Sequence, residues 1–337
     1  MKYIRQIIVG LIAAVHLTAV TLPISASAEQ LKKIAILPKT LVNDVFQIRI
    51  VQAAEREAKK YGIATESFAS RSHAAVEDQI NIIETLIARG DFGALIIAAV
   101  DSKGLGNVLD KAAKAGLHVI LVDSGVEKGA YVTTIATNNK AGAGTGAEFA
   151  ASLINGKGNV AMLEGEPGGQ TAADRKSGFH EGIAKFPEIK LVASINGHWT
   201  EPGGLEATEA LIAGHKDLDL IFAASDMMGI GARQVLERAA QKAKEAGDNA
   251  QAERFKAVKI VGFDGVAEGF KAVKDGSFSG TVAQMPETMG TNAVDIAVQL
   301  MKGEKKAGDF PKFIDSGATL VIKDNVDNVA NTLGLKL

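Results

Sequence analysis

Cysteine is absent from the 337-residue chain. That single absence removes disulfides, thiolate metal sites, a cysteine nucleophile and a lipid-modified cysteine together. Aromatic residues make up only 5% of the chain and tryptophan occurs once, as Trp199, so an aromatic side chain in a loop carries more information than usual. Proline is also rare, and no proline- or serine-rich stretch marks a flexible tether. The six histidines are scattered without metal-ligand spacing, which leaves no sequence basis for a metal. Nor is there an excess of positive charge, with 37 basic against 39 acidic residues. Nucleic acid and anionic lipid are poor partners for such a surface.

Enzyme signatures are missing too. No P-loop, HExxH or nucleophile elbow occurs, and GSFSG at 276–280 carries Phe278 where an elbow needs serine. The run GAGTGAE, Gly142 to Glu148, looks like a dinucleotide loop but sits inside a helical pattern without the strand–turn placement that such a loop requires. No cofactor is expected.

What is present begins at the N-terminus. Lys2 and Arg5 precede the apolar run IIVGLIAAV, and Ala26-Ser27-Ala28 supplies small residues at a cleavage point. This is the pattern of a secretory signal peptide over residues 1–28, cut before Glu29. A membrane anchor is the alternative, but His16, Thr18, Thr21 and Pro23 interrupt the run short of the roughly 20 apolar residues that a span needs. Losing Lys2 and Arg5 takes the 37 basic residues to 35 against 39 acidic ones, a formal charge of −4. The expectation is a soluble, exported protein, located in a periplasm.

From residue 32 onward, apolar runs of four to eight residues alternate with amphipathic ones. KKIAIL, IATESF, ALIIAAV and HVILVD are separated by helical patterns near 43–60, 76–88 and 105–115. A second series follows YVTTIATNN, with NVAMLEG, KLVASIN, LDLIFAA and KIVGFD between further helices. This is the signature of βαβ units and of parallel sheets covered on both faces. Two similar series in tandem point to two similar lobes. Gln241 to Phe255 reads as a solvated helical extension broken at Gly247, and the C-terminal part adds GTVAQ, a helix over 286–301 and the strands KFID and ATLVI.

In open parallel sheets, ligands bind beyond the carboxyl ends of the strands. The residues just after the expected strands are Lys39, Asn43 and Phe46; Asp123 and Ser124; Gln170 to Arg175; His198 and Trp199; Ser225 and Asp226; Asp264; and Gln284. A mixture of carboxylates, amides, a guanidinium and aromatics suits a polyhydroxylated ligand, because each hydroxyl both donates and accepts and aromatic faces pack on C–H patches. Each residue also has a plainer reading. Asp123 and Asp264 are good helix caps, Trp199 is able to pack over a loop, Phe46 to join the core, and Arg175 to pair on the surface with Asp174 or Glu181. Their shared location at strand ends favours the binding role.

The segments IAILPKTLVNDVFQ, VILVDSG, GGQTAADRKSGF, FAASDMMGIGA, KIVGFDG and GTVAQMPETMG resemble the periplasmic sugar-binding proteins of the ribose and galactose type, which feed ATP-driven importers. The likeness spans residues 31 to 325. It implies the type I periplasmic binding protein fold, an α/β architecture of two Rossmann-like lobes with parallel sheets joined by a three-crossover hinge. The expected division is 29–137 with 285–313 in the N-terminal lobe, and 138–284 with 314–337 in the C-terminal lobe. Carried over by motif, the ligand wall comprises Lys39, Asn43, Phe46, Asp123, Ser124, Arg175, Trp199, Ser225, Asp264 and Gln284.

The departures from the ribose pattern are Ser124 where an arginine is common, Ser225 where asparagine is usual, Val45 in place of a second aromatic, and Lys39 in place of a small polar residue. They argue against plain ribose and leave a linear polyol, another pentose or a sugar acid. The resemblance implies a monomeric receptor without enzymatic activity, with a monosaccharide or polyol as ligand, an ABC transporter permease as membrane partner and a chemoreceptor as a further candidate partner. A periplasmic sugar-acting enzyme using Asp123 and Asp264, and a receptor for a sugar acid or signalling molecule, are the alternatives. A sugar-responsive repressor would need a DNA-binding segment where this chain has a leader.

Overall fold

The expected βαβ alternation runs through the computed structural model, which describes residues 31–337; the expected signal peptide lies outside the described residues. The first series is β1 (Lys33–Leu37), α1 (Val45–Lys60), β2 (Thr65–Ser67), α2 (Val76–Arg89), β3 (Phe92–Ile97), α3 (Gly106–Lys114), β4 (His118–Val122) and β5 (Thr134–Ala136). The second is α4 (Asn139–Leu153), β6 (Lys157–Glu164), α5 (Gln170–Ile183), β7 (Glu188–Asn196), α6 (Glu201–Gly214), β8 (Leu220–Ala223), α7 (Asp226–Glu245), α8 (Asn249–Ala257), β9 (Lys259–Asp264), α9 (Ala267–Asp275) and β10 (Gly280–Gln284). The chain closes with α10 (Pro286–Met301), β11 (Phe313–Asp315), β12 (Ala318–Val321) and α11 (Val326–Thr332).

One sheet has the order β2-β1-β3-β4-β5-β11 and the other β7-β6-β8-β9-β10-β12, the same winding twice. All pairings are parallel except β10 with β12. The uninterrupted apolar strands follow from burial on both faces. Ile34, Ile36, Ala94, Ile96, Ile120 and Val122 face a core shared with α1 and α10, while Ala35, Leu37, Leu95, Ile97, Val119 and Leu121 face one shared with α2 and α3. Alternate residues of one strand thus serve two cores.

The run GAGTGAE lies within α4, and its glycines let the helix sit close to the second sheet. A Cβ on Gly142 would stand 3.0 Å from the Phe263 ring, and one on Gly146 would stand 2.7 Å from that of Phe222. The segment near 241–255 is helical on both sides of the expected break, with α7 ending at Glu245 and α8 starting at Asn249. The chain turns at Gly247, at φ +81, and Asp248 caps α8 by accepting from the Gln251 N–H. Helices α9 and α11 were not anticipated from the sequence, and α6 starts earlier than its apolar pattern, where Thr200 caps it and Pro202 occupies the first turn.

The chain passes between the sheets three times, after β5, after β10 and after β11. Ile314 and Asp315 pair in the first sheet and Ala318 pairs with Gln284 in the second, so the last crossing falls after Asp315 rather than after residue 313. The outer crossings hold each other: Thr137 Oγ1 donates to the Gly317 carbonyl (3.0 Å), and the Ser316 N–H to that of Ala136 (3.0 Å).

Candidate functional site

Both sheets direct their strand carboxyl ends at one cleft, where ligands bind in open α/β sheets. On the first-lobe side the chain leaves β1 through Lys39 and enters α1 at Val45, because Asp44 caps the helix by accepting the Gln47 N–H at 3.0 Å. Asn43 therefore lies outside the helix, at φ +54. Gln47, in the first turn, is a brace. Its Oε1 accepts the Lys39 N–H (3.2 Å) and its Nε2 donates to Asp123 Oδ2 (2.9 Å). The Lys39 ammonium meets the same oxygen at 2.8 Å. Phe46 is buried in the lobe core and also borders the cleft.

The second-lobe wall is built around Arg175, only 2% exposed. Its Nε donates to Asn139 Oδ1 (2.8 Å), and its Nη1 to Asp264 Oδ1 (2.8 Å) and to the Ala224 carbonyl (2.6 Å). The guanidinium lies 3.8 Å from the Phe263 ring centre and 5.3 Å from that of Trp199. The surface pairing with Asp174 or Glu181 is not the one adopted. Asp264 in turn accepts from Gln284 Nε2 at 2.8 Å. Burial pushes its carboxyl upward, and the neighbouring Arg175 opposes that. Behind it, the fully buried Asp226 accepts the Gly265 and Val266 N–H groups (2.8 and 3.0 Å) and the Thr281 hydroxyl (2.6 Å). Burial raises the Asp226 carboxyl to about 8.

The cavity between these walls holds about 470 Å³, part of it open to solvent. Eight of the ten expected residues line it: Lys39, Asn43, Phe46, Asp123, Arg175, Trp199, Ser225 and Asp264. Ser124 and Gln284 do not. Ser124 is buried with its hydroxyl unpartnered among the described residues, and Gln284 is fully buried behind Asp264. Ser225 lines the cavity and also caps α7. Neither Asp123 nor Asp264 caps a helix.

Further lining residues were missed by the strand-end rule, namely Asp44, Gln47, His73, Met227 and Val266; Thr171 falls within the strand-end run Gln170 to Arg175 but was not carried into the expected ligand wall, and Val45 had been noted only as a departure from the ribose pattern. His73 Nε2 stands 3.4 Å from Asp44 Oδ2. Burial, with Lys39 nearby, lowers the imidazole to about 4, and burial lifts Asp44 to about 7. Thr171 reaches across the cleft to donate to the Asp123 carbonyl (3.1 Å), and the Ser102 N–H and hydroxyl both donate to the Gly168 carbonyl (3.0 and 2.9 Å). The two lobes are in contact over the cavity. Among the described residues, no cluster of three or more His, Asp or Glu could hold a metal.

Two like-wound lobes, three crossings and a polar cleft define a two-lobed ligand-binding protein. The chain belongs to the periplasmic binding protein family, whose domain matches residues 34–305. It is 31% identical to the ribose import binding protein of Salmonella typhimurium, over 89% of this chain and 94% of that one. Among solved structures it resembles a solute-binding protein of Burkholderia graminis in complex with D-arabinose, at 29% identity, with TM-score 0.78 and coverage of 87% and 96%. It also resembles a galactofuranose-binding protein, at 27% identity, with TM-score 0.79 and coverage of 90% and 98%. These relatives are binding proteins rather than enzymes. No helix among the described residues is long and apolar enough to cross a membrane.

Proposed function

We propose that this chain is the exported receptor of an ATP-driven importer, binding a neutral monosaccharide or polyol between its lobes and presenting it to a permease in the periplasm. The relatives named for ribose, D-arabinose and galactofuranose support the sugar class. The leader pattern at residues 1–28 supports export. A monomer suffices for this role, and a chemoreceptor reading the closed lobes is compatible with it.

The observation that carries the neutral ligand is charge pairing. Lys39 sits 2.8 Å from Asp123, and Arg175 sits 2.8 Å from Asp264. Each cation of the cleft already has its carboxylate, so the lysine that in sequence hints at an acidic ligand is neutralised. A sugar acid would meet the carboxylates of Asp123 and Asp264 instead. Hydroxyls, by contrast, fit between paired donors and acceptors, and Trp199 offers an apolar face.

A thermal-shift screen of the mature protein tests this reading, using D-ribose, D-arabinose, D-allose, D-galactose, xylitol and glycerol against D-gluconate and D-galacturonate. A compound at 100 times its Kd should stabilise the fold by about 2.7 kcal/mol, a rise in Tm of about 4 °C for a chain of this length. A shift with the acids alone, or with none of the eight, would remove the proposal.

A further inference from the structure

Asp44 differs from the other two carboxylates in the cavity wall. Asp123 is paired with Lys39 and Asp264 with Arg175, whereas Asp44 has no lysine or arginine partner among the described residues. Its Oδ1 is committed to the cap of α1. Its Oδ2 lies 3.4 Å from His73 Nε2, beyond a good hydrogen bond. The side chain is 14% exposed and lines the cavity. The charged or titratable groups around it are His73 from the segment before α2, Lys39 after β1, Asp123 after β4 and Asp264 after β9.

We propose that Asp44 is a ligand-contacting, specificity-determining residue that engages the sugar as a carboxylic acid, its O–H donating to a ligand oxygen. This rests on the reading of the cleft as a sugar site. An ionised Asp44 in a filled cleft would be a buried charge beside two further carboxylates, with Lys39 already taken and His73 held neutral by burial. Such a charge is costly, and a buried carboxyl without a counter-charge takes up a proton instead. Burial already raises this group to about 7 in the described structure. A ligand that displaces water raises it further. The acid form is therefore the one that binds, and above pH 7 binding draws a proton from solution. Affinity falls as pH rises, by at most about tenfold per pH unit for one proton.

The test is calorimetric titration of the mature chain between pH 6 and pH 8.5, using whichever neutral compound of the panel raises Tm most. Kd should increase by about tenfold or more across that range, and near pH 8 the binding enthalpy should depend on the ionisation enthalpy of the buffer, as uptake of close to one proton requires. In Asp44→Asn, which keeps a good helix cap but cannot ionise, both dependences should vanish. Asp44→Ala should weaken binding at pH 6 as well. A flat wild-type profile overturns the inference, as does an Asp44→Asn variant that keeps the wild-type slope. If the slope disappears only in His73→Gln, the titrating group is His73 and the inference also falls. Binding of no panel compound at pH 6 would overturn the sugar reading itself, which separates the two failures.

Discussion

Positive backbone φ angles at non-glycine residues gather at the cleft: Asn43, Asp123, Trp199 and Asp264 all line it, at φ +54, +61, +62 and +110. Such conformations cost on the order of 1–3 kcal/mol each and persist where surrounding contacts determine them. Asp264 is the extreme case, and the contact that holds its loop is Asp226. That carboxylate takes two consecutive backbone N–H groups just beyond Asp264 and the Thr281 hydroxyl. At pH 9 the Asp226 carboxyl is ionised and both its oxygens accept, whereas an amide offers a single acceptor oxygen, so Asp226→Asn leaves at least one of these donors unpaired. We expect a loss of about 1–3 kcal/mol in stability, together with about tenfold weaker sugar binding as Asp264 loses its fixed orientation. Thr281→Val, which removes only one donor, should cost less on both counts. Denaturant unfolding and calorimetry check this, and an Asp226→Asn protein with unchanged stability and affinity would show that the loop holds its shape unaided.

At the scale of elements, the strands and most helices were legible because their apolar periods are long and their burial is two-sided. The strand-end rule likewise named Asp123, Trp199 and Asp264, which line the cavity just beyond their strands, and Arg175, which lines it from helix α5. What escaped depends on the first turn of α1 and on loops. A helix begun at Asn43 puts different side chains on the cleft than one begun at Val45 and capped by Asp44, and no periodicity fixes that offset; Gln47 was missed for this reason. His73 lies between β2 and α2, in a segment without a pattern. Ser124 and Gln284 entered the expected wall by strand-end position and by motif; a sequence does not say which of the successive residues Asp123 and Ser124 faces the cleft, nor that Gln284 packs behind Asp264. Loops also supply the contact between lobes. Gly168 offers its carbonyl to Ser102 at φ +95, and a Cβ there would stand 2.6 Å from Asp101 Oδ2. Gly168→Ala combines backbone strain with a collision against the opposite lobe, and the collision exists only when the lobes meet. The expected result is faster sugar release and a Kd raised several-fold, about 1 kcal/mol. Stopped-flow release rates equal to wild type would show that this contact contributes nothing to closure.

For the whole molecule, the repeated winding divides the wall of the cleft between two bodies. Lys39, Asn43 and Asp123 line it from the first sheet's strand ends, while Trp199 and Asp264 line it from the second's and Arg175 from helix α5. Direct cross-lobe hydrogen bonds are few and mostly neutral, those of Thr171 and Ser102 chief among them, so protein contacts alone give closure a modest driving force. A ligand that touches both walls adds affinity only in the closed arrangement, and that difference is what shifts the population. Either wall should then be necessary for compaction. Small-angle scattering of the wild type should show a smaller radius of gyration at saturating sugar, and Trp199, the sole tryptophan, should change its emission with the same Kd. Asp123→Asn in one lobe and Asp264→Asn in the other each remove a charge-assisted partner worth about 1.5–3 kcal/mol, so each should abolish compaction at sugar concentrations that close the wild type, and higher sugar should restore it. If one of the two variants compacts normally at the wild-type midpoint, the ligand is held by a single lobe and closure needs another cause.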